Sequence, residues 1–321
     1  MRIFQAMAGA EYGGAEAFFV RLACALQRAG VDQRVVIRTH PKRAADLAQA
    51  GVETRQLKFG GAMDWQMPRQ LKREIEQFKP DIVMTWMNRA TSMCPKPGKG
   101  AAFKHLARLG GYYDLKYYRG CDHLIGNTED IVSYLIKQGW PAERAHYLPN
   151  FVTYEPAEPI RRQLYYTPDT VPLILAMGRL HENKGFDVLL EALSRVPNAY
   201  LWIAGEGPRR AELEKLAEEL AIKPRVRFLG WRDDVSALLA TADVFVCPSR
   251  HEPLGNVVIE AWAHGRPVVA ADSYGPGTLI EHMDSGVLVP TEDAAMLAKA
   301  IRLVIGDRDL AERIARRGHD A

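Results

Sequence analysis

One segment of the chain, from Leu173 to Phe186, reads LILAMGRLHENKGF. Its opening run, Leu173–Met177, is apolar throughout, which indicates a short strand. The run is followed by a glycine, two cations and a second glycine, and Phe186 then begins a stretch with the apolar spacing of a helix. The segment therefore predicts a strand that leads into a helix at its carboxyl end, which is the repeating unit of a parallel α/β sheet.

The same alternation of apolar runs and amphipathic stretches continues along the chain. The predicted strands are Arg2–Met7, Gln33–Ile37, Val52–Leu57, Asp81–Trp86, Phe103–Leu109, His123–Gly126, Leu173–Met177, Tyr200–Ala204, Val226–Leu229, Val244–Cys247, Val268–Ala271 and Val287–Val289. The predicted helices are Ala15–Arg28, Arg43–Ala50, Trp65–Phe78, Asp130–Gln138, Phe186–Arg195, Arg209–Leu220, Val235–Thr241, Asn256–Ala263 and much of Ala294–Arg317. The cycle restarts after a proline-rich stretch, so we predict two parallel-sheet domains, residues 1–150 and 173–321, joined by a linker over 151–172 and facing across a cleft.

Length and composition agree with this division. The chain has 321 residues, of which 47% are hydrophobic and 25% charged, which is ordinary for a globular protein and excludes disordered and collagen-like classes. No apolar run approaches the roughly 20 residues that a membrane-spanning helix needs, and the first residues lead into a predicted strand instead of a signal segment. The four cysteines form no CxxC pair. We therefore expect a cytoplasmic protein without a zinc ribbon or a disulfide framework.

Charge is divided between the two halves. Residues 1–150 contain 22 Lys and Arg against 14 Asp and Glu, a net charge of +8, and the remainder carries −5. The basic excess peaks from Lys96 to Arg119, where aromatic residues are interleaved with further cations, namely Lys99, Lys104, Arg108 and Lys116. Two interpretations stay open: contact with an anionic membrane surface or a phosphorylated acceptor, or a solvated segment whose aromatic residues fill the core. No nucleic-acid recognition motif accompanies this stretch, so no nucleic-acid partner is expected.

Ligands of open α/β sheets bind where strands end and helices begin. At the first such junction, Gly13 and Gly14 precede a predicted helix, where they suit either a phosphate or a structural tight turn. At the junction after Met177, Arg179 and Lys184 lie five residues apart beside a helix start. Two cations in this position can clamp a diphosphate, although either one alone is usually solvated.

A third junction runs from Ser249 to Glu260 and carries two carboxylates eight residues apart. Glu252 precedes a predicted helix and suits the hydroxyl groups of a polyol, whereas Glu260 lies inside that helix. We expect Glu260 on an otherwise apolar helix face, where a ribose diol would be a suitable partner. Gly255 allows the backbone to turn, which would point the amide groups that follow it towards a ligand. A salt-bridge role for Glu260 remains the alternative.

In their order along the chain, these motifs resemble the retaining nucleotide-sugar glycosyltransferases of family 4, which have the GT-B fold of two Rossmann-like domains. The resemblance covers nearly the whole chain and rests on GGAE from Gly13 to Glu16, Leu148-Pro149-Asn150, Gly178-Arg179-Leu180, Lys184-Gly185, Gly205-Glu206-Gly207-Pro208, Phe228-Leu229-Gly230 and the Glu252 and Glu260 pair. Members of this family usually continue into a further helix beyond the position of Ala321, which implies that this chain is short or shortened.

The resemblance implies the roles of individual residues. Arg179 and Lys184 would bind the donor diphosphate and stabilise it as leaving group, Glu252 would contact the donor sugar, and Glu260 would hold the ribose. The remaining donor-binding positions would be Gly13, Gly14, Gly207, Phe228, Leu229, Leu254, Gly255 and Asn256. It implies that no cofactor and no divalent metal is required.

The acceptor side departs from the family pattern, because no histidine follows the fifth predicted strand. Asp114 is the nearest group able to orient or deprotonate an acceptor hydroxyl, with Asn88 and Arg89 next, but Asp114 could equally cap a helix or pair with Lys116. The resemblance implies transfer of a hexose-type sugar with retention of configuration, and UDP-sugar is the expected donor. The expected acceptor is a glycan or glycolipid such as a lipopolysaccharide precursor. The basic first half would allow peripheral contact with the inner membrane. The alternatives are a sugar-nucleotide epimerase or hydrolase of the same fold and an inactive sugar-nucleotide-binding subunit.

Overall fold

The computed structural model describes residues 1–11, 13–60, 64–96 and 103–321. Lys99, one of the predicted basic residues, therefore lies outside the described part of the chain. The chain divides into two compact units, Met1–Phe151 and Val152–Ala321. This boundary falls one residue inside the stretch predicted as a linker, and the rest of that stretch belongs to the second unit.

The first unit is built on one parallel sheet, which has seven strands within the described residues, in the order β3-β2-β1-β4-β5-β6-β7. The strands are β1 Arg2–Met7, β2 Asp32–Arg38, β3 Glu53–Leu57, β4 Ile82–Trp86, β5 Lys104–Leu109, β6 His123–Gly126 and β7 Ala145–Tyr147. The helices are α1 Gly14–Arg28, α2 Pro41–Gln49, α3 Gln66–Phe78, α4 Met87–Met93 and α5 Glu129–Lys137.

The second unit repeats this plan with a parallel sheet of six strands among the residues described, in the order β10-β9-β8-β11-β12-β13. The strands are β8 Leu173–Met177, β9 Tyr200–Ala204, β10 Val226–Gly230, β11 Val244–Cys247, β12 Val268–Ala271 and β13 Val287–Val289. The helices are α6 Phe186–Ser194, α7 Arg210–Glu219, α8 Val235–Thr241, α9 Asn256–Ala263, α10 Tyr274–Leu279, α11 Ala294–Gly306 and α12 Arg308–Asp320.

Both faces of the second sheet are covered by core. Ile174 and Ala176 of β8 belong to one buried cluster, whereas Leu173 and Leu175 belong to the cluster on the opposite face. Because side chains alternate between the faces of a strand, a sheet buried on both sides offers chemistry mainly at the ends of its strands. Functional side chains are therefore expected at the carboxyl ends of β8 and β11, which are neighbours in the sheet.

Three short elements, α4, β7 and α10, were not predicted, and the helix predicted over Ala294–Arg317 is two helices. The break falls at Asp307, whose carboxylate accepts a hydrogen bond from the backbone N–H of Leu310 at 2.9 Å. An N-cap of this kind satisfies an otherwise unpaired amide of a new helix. The apolar spacing alone indicates one continuous helix. The cap at Asp307 divides it into α11 and α12.

Candidate functional site

Two strand-to-helix loops of the second unit are hydrogen-bonded to each other. The loop after β11 meets the loop after β8 where the backbone N–H of His251 donates to the carbonyl oxygen of Asn183 at 3.1 Å. Between the loops, Gly185 has a left-handed φ of +61°, and a Cβ there would lie 2.2 Å from the carbonyl oxygen of Pro248. Only glycine permits this approach, which brings Lys184 of one loop to Glu252 of the other.

Lys184 and Glu252 form an ion pair across this contact. Both side chains are largely buried, with 23% of Lys184 and 11% of Glu252 exposed. Burial alone would lower the pKa of Lys184, but the Glu252 carboxylate and the Cys247 thiol beside it raise the pKa above its usual value. Lys184 is therefore held in its charged form at neutral pH, and no local spacing in the sequence predicts this pairing.

Arg179, unlike Lys184, has no partner among the described residues. It follows Gly178, directly after the end of β8, and its side chain is exposed. Within the described ranges it makes no hydrogen bond, ion pair or ring contact. An uncommitted guanidinium at the carboxyl edge of a parallel sheet is free to bind an anion in bidentate fashion.

Helix α9 begins at the same edge. Gly255 precedes it with a left-handed φ of +85°, and its carbonyl oxygen accepts from the backbone N–H of Val258 at 2.8 Å. The next amide groups, those of Asn256 and Val257, belong to the first helical turn, where N–H groups face outwards and favour negative charge. Leu254, also predicted here, is buried.

Glu260 lies one turn inside α9 and is half-buried. The buried face of the helix consists of Val258, Ala261 and Trp262, so the carboxylate is outside the core. Val257, three residues before Glu260 and on the same side of the helix, packs against the core, so Glu260 borders an apolar face and does not lie within it. Its role in holding a ribose stays a prediction.

The remaining predicted positions of this unit lie in the loop after β9 and along β10. Gly207 is explained by packing, because a Cβ there would lie 2.4 Å from the carbonyl oxygen of Leu180. The carbonyl oxygen of Phe228 accepts from Arg210 Nη2 at 3.3 Å. The pairing of β10 with β9 passes from Phe228 to Gly230, so in the described register Leu229 has no Cα partner. A bulge of this kind leaves peptide groups outside the regular ladder, which suits main-chain contacts with a planar base.

Arg250 has a structural role that the sequence did not indicate. It donates two hydrogen bonds to the Asp187 carboxylate, at 2.9 and 2.8 Å, one to Glu292 at 2.9 Å and one to the carbonyl oxygen of Glu182 at 2.8 Å. The hydrogen bonds that Arg250 donates to Asp187 raise the pKa of Arg250, which stays charged throughout. This residue fastens the loops after β8, β11 and β13 to one another, and nothing in local spacing pairs residues so distant in sequence.

In the first unit, Gly13 makes room for a buried acid. The Glu16 carboxylate accepts from the backbone N–H of Ala10 at 2.7 Å, and a Cβ at Gly13 would lie 2.3 Å from Glu16 Oε2. Gly14 is the first residue of α1. The geometry thus supports the tight-turn interpretation of this loop, and its donor-binding role stays a prediction.

Asp114 is exposed and caps a single 3-10 turn, Leu115–Tyr117. It accepts from the backbone N–H of Lys116 at 2.9 Å and pairs with the Lys116 ammonium at 2.9 Å. The hydrogen bond from Lys116 lowers the pKa of Asp114, which makes the carboxylate a weaker base. Both structural alternatives for this residue are therefore present together. Of the other two acceptor-side residues, Asn88 accepts a hydrogen bond from Tyr118 and Arg89 is exposed.

The basic stretch is divided between core and surface. Arg108 is buried, with its guanidinium 4.4 Å from the ring centre of Phe18 and 5.0 Å from that of Trp86, and burial lowers its pKa to about 10. Tyr118 is buried as well, whereas Lys104 and Arg119 are exposed. Part of the stretch thus fills the core, and part offers positive charge to solvent.

Neither a metal-binding cluster nor a membrane-spanning helix occurs among the described residues. In the part of the chain that the structure describes, no three His, Cys, Asp or Glu side chains gather as a metal site would require. None of the helices formed by these residues has the length and apolar character for crossing a bilayer. The expectation of a metal-free site stays a prediction.

Comparison with known proteins gives matches along the whole chain. The model for glycosyl transferases group 1 matches residues 160–320, and the model for Glycosyltransferase Family 4 matches residues 12–155. The chain is 40% identical over 311 residues to the lipopolysaccharide core biosynthesis glycosyltransferase LpsE of Rhizobium meliloti (strain 1021), covering 96% of this chain and 90% of that protein. It is 36% identical to LpsD of the same organism, covering 100% and 92%.

Among solved structures, that of Anabaena Alr3699/HepE in complex with UDP and glucose matches with a TM-score of 0.83 and 21% identity, covering 100% of this chain and 94% of that one. At this identity the likeness concerns the fold, and it confirms the predicted GT-B class of two Rossmann-like parallel sheets.

Proposed function

The chain belongs to the group 1 glycosyltransferases, and on that premise we propose that it transfers a hexose from a UDP-sugar to a lipopolysaccharide core acceptor with retention of configuration. The acceptor class is that of the relatives LpsE and LpsD. UDP is the nucleotide bound in the structure of HepE, which has the same fold.

One observation supports the proposal: Lys184 and Glu252 pair between the loops after β8 and β11, and Arg179, in the first of these loops, makes no contact with other described residues. A diphosphate leaving group develops negative charge as its bond to the sugar breaks. The free guanidinium of Arg179 supplies one positive charge, and Lys184 supplies a second that its partner keeps protonated. Glu252 can then accept a hydrogen bond from a sugar hydroxyl while remaining close to Lys184.

This arrangement also supports metal independence. In donor sites that use a divalent cation, the metal neutralises the phosphates. Here Arg179 and the amide groups at the start of α9 would supply positive potential, and Lys184 would add a hydrogen-bond donor whose charge Glu252 balances. Glu260, one turn further along α9, is the candidate for the ribose, and the bulge at Leu229 for the base.

The acceptor is proposed to reach the enzyme at the cytoplasmic face of the inner membrane. The exposed cations of the first unit, Lys96, Lys104 and Arg119, would attract anionic lipid or a phosphorylated acceptor. Arg108 is excluded from this role because it is buried. Flotation with vesicles of phosphatidylglycerol and phosphatidylcholine should show binding that the triple variant K96Q/K104Q/R119Q loses and that Arg308→Gln in the second unit keeps.

The experiment that tests the function is a donor and acceptor panel. The protein is titrated with UDP-, GDP-, ADP- and TDP-glucose, with and without EDTA, and turnover is measured on a truncated lipopolysaccharide core. We expect metal-independent use of the UDP-sugar and an α-linked product by NMR. Arg179→Ala should lose at least tenfold in kcat/KM, whereas Arg308→Ala, which changes an exposed arginine paired with Glu312 on its own helix, should not.

The other outcomes identify the alternatives. An altered sugar nucleotide without acceptor would indicate an epimerase, and free sugar with no transfer would indicate a hydrolase. Donor binding with no turnover on any acceptor would indicate an inactive binding subunit. Equal activity of Arg179→Ala and the wild type would contradict the assigned diphosphate site.

A further inference from the structure

We infer that the side-chain amide of Asn88 donates hydrogen bonds to the acceptor sugar and that Tyr118 positions this amide, which deepens the proposed function and rests on it. Asn88 follows β4 by two residues and is half-buried. The Tyr118 hydroxyl donates a hydrogen bond to Asn88 Oδ1. The amide nitrogen of Asn88 makes no hydrogen bond to the residues described and is not one of their buried unpaired atoms, so a ligand can reach it.

The position of Asn88 in the sheet is the first argument. From β1 the chain adds β2 and β3 on one side of the sheet and then β4 on the other, so the strand order reverses between β1 and β4. The second unit has the same reversal between β8 and β11, and the loops after these strands carry Lys184 and Glu252. Ligands of open parallel sheets bind at the carboxyl ends of strands where the order reverses. Asn88 lies at this place in the first unit.

Tyr118 holds the Asn88 amide in one orientation. The tyrosine is fully buried and packs in the cluster that contains Leu109 and Leu124. Burial raises the pKa of Tyr118, so the hydroxyl keeps its proton, and Asn88 Oδ1 accepts that proton in a hydrogen bond. An amide is planar, with its oxygen and its NH2 group on opposite sides. The bond therefore fixes the two N–H donors of Asn88 away from Tyr118.

The backbone that leads into Asn88 is held in an uncommon conformation. Met87 has a left-handed φ of +59°, which is unfavourable for a residue with a side chain. Its carbonyl oxygen accepts from Thr91 Oγ1 at 2.7 Å, and Thr91 Oγ1 lies 2.9 Å from Thr85 Oγ1. Both threonines are buried. Backbone strain that is fixed by surrounding contacts is typical of residues that position a ligand-binding group.

The chemistry of the amide indicates the class of ligand. An NH2 group donates two hydrogen bonds and carries no charge, so it suits the oxygens of a sugar better than a diphosphate, which favours charged donors. The cation and carboxylate pair proposed for the donor belongs to the second unit. Asp114, the acceptor-side residue expected from the sequence, is exposed and bound to Lys116. Asn88 is thus the preorganised neutral donor of the first unit.

Asn88→Asp separates ligand binding from folding, because it removes the N–H donors and keeps the oxygen that Tyr118 needs. The melting temperature should therefore not change. KM for the core oligosaccharide should rise about five- to fiftyfold, since the sugar loses hydrogen bonds and its oxygen faces a carboxylate. KM for UDP-glucose, measured by its hydrolysis without acceptor, should stay the same.

Tyr118→Phe tests the positioning role. It leaves the donors of Asn88 in place but no longer fixes them, so KM for the oligosaccharide should rise about two- to fivefold while kcat changes less. Added to Asn88→Asp, the same substitution should change KM no further, because it acts through Asn88. Tyr134→Phe is the matched control, since the Tyr134 hydroxyl donates to the carbonyl oxygen of Tyr113 at 3.1 Å. It should lower the melting temperature and leave both KM values unchanged.

Three kinetic outcomes would contradict the inference. An unchanged oligosaccharide KM in Asn88→Asp, with normal transfer by the wild type, would overturn it while leaving the proposed function intact. A rise confined to KM for UDP-glucose would overturn it as well, since the amide would then bind the donor. An equal effect of Tyr118→Phe with and without Asn88→Asp would overturn the role of Tyr118.

Failure of the proposed function is recognised by a measurement that needs no turnover. Saturation-transfer NMR with the core oligosaccharide reports acceptor binding directly. A signal that Asn88→Asp loses and Tyr134→Phe keeps would support the contact even if the wild type transfers no sugar. Neither signal nor transfer with the wild type would overturn the proposed function and this inference together.

Discussion

Gly185 lies so close to Pro248 that a side-chain carbon on the glycine would come within 2.2 Å of the proline carbonyl oxygen. The two residues belong to different strand-to-helix loops, and their contact is what brings Lys184 beside Glu252. The geometry of the proposed donor site thus depends on the absence of a side chain at Gly185 as well as on the charged residues.

The first prediction concerns this contact. Gly185→Ala should lower the free energy of unfolding by about 2–4 kcal/mol, because it adds a backbone clash to the cost of a left-handed φ. Gly265→Ala is the matched control, since Gly265 has nearly the same φ, +62°, but nothing lies within 4 Å of its Cβ position. It should cost about 1–2 kcal/mol. Urea denaturation of both variants checks the difference, and equal losses would contradict the proposed role of the contact.

The second prediction separates stability from activity at the ion pair. Lys184→Met or Glu252→Gln alone should destabilise the protein by about 3 kcal/mol, because each leaves one partner largely buried without its counterpart. The double variant should recover much of that stability but no transfer activity. Denaturation and turnover of the three variants provide the test, and recovery of activity in the double variant would show that the pair is only structural.

The third prediction concerns acid sensitivity. His105 is buried beside Thr85, and burial lowers its pKa to about 4 from an ordinary value of 6.5. Between these values the unfolded chain binds a proton that the folded protein does not, so stability falls as the pH falls from 6.5 to 4, by about 3 kcal/mol. His105→Gln should have a shallower dependence over this window. Unfolding free energies measured at several pH values check this, and parallel curves would contradict it.

The fourth prediction concerns Asp114. An exposed carboxylate whose pKa is lowered by Lys116 is a poor general base, so we expect Asp114→Asn to reduce kcat less than threefold. Loss of a true general base typically costs 10²- to 10⁴-fold. Turnover at saturating donor and acceptor decides between these ranges. A loss of more than a hundredfold, with the fold intact by circular dichroism, would restore the catalytic role that the sequence suggested.

The local sequence was sufficient to predict most of the strands and the loops that follow them. The bounds of β1, β8, β9 and β11 agree with those predicted, because a short apolar run between polar or glycine-rich turns is a local signal. The same signal located the loops at the strand ends, and with them Arg179, Lys184 and Glu252. Helix α4 was missed because it follows β4 directly, and α10 because Gly275, Pro276 and Gly277 are residues typical of turns.

Tertiary structure alone decided which of these residues meet. Lys184 and Glu252 are 68 residues apart, and they pair because the order of the sheet places β8 beside β11. The same order commits Arg250 to Asp187 and leaves Arg179 without a partner in the described structure. Sequence by itself determined the strands, the loops and the kinds of side chain they carry, since these follow from short-range patterns. The ion pair, the hydrogen bond from Tyr118 to Asn88 and the demand for glycine at position 185 follow from long-range packing, which no local pattern encodes.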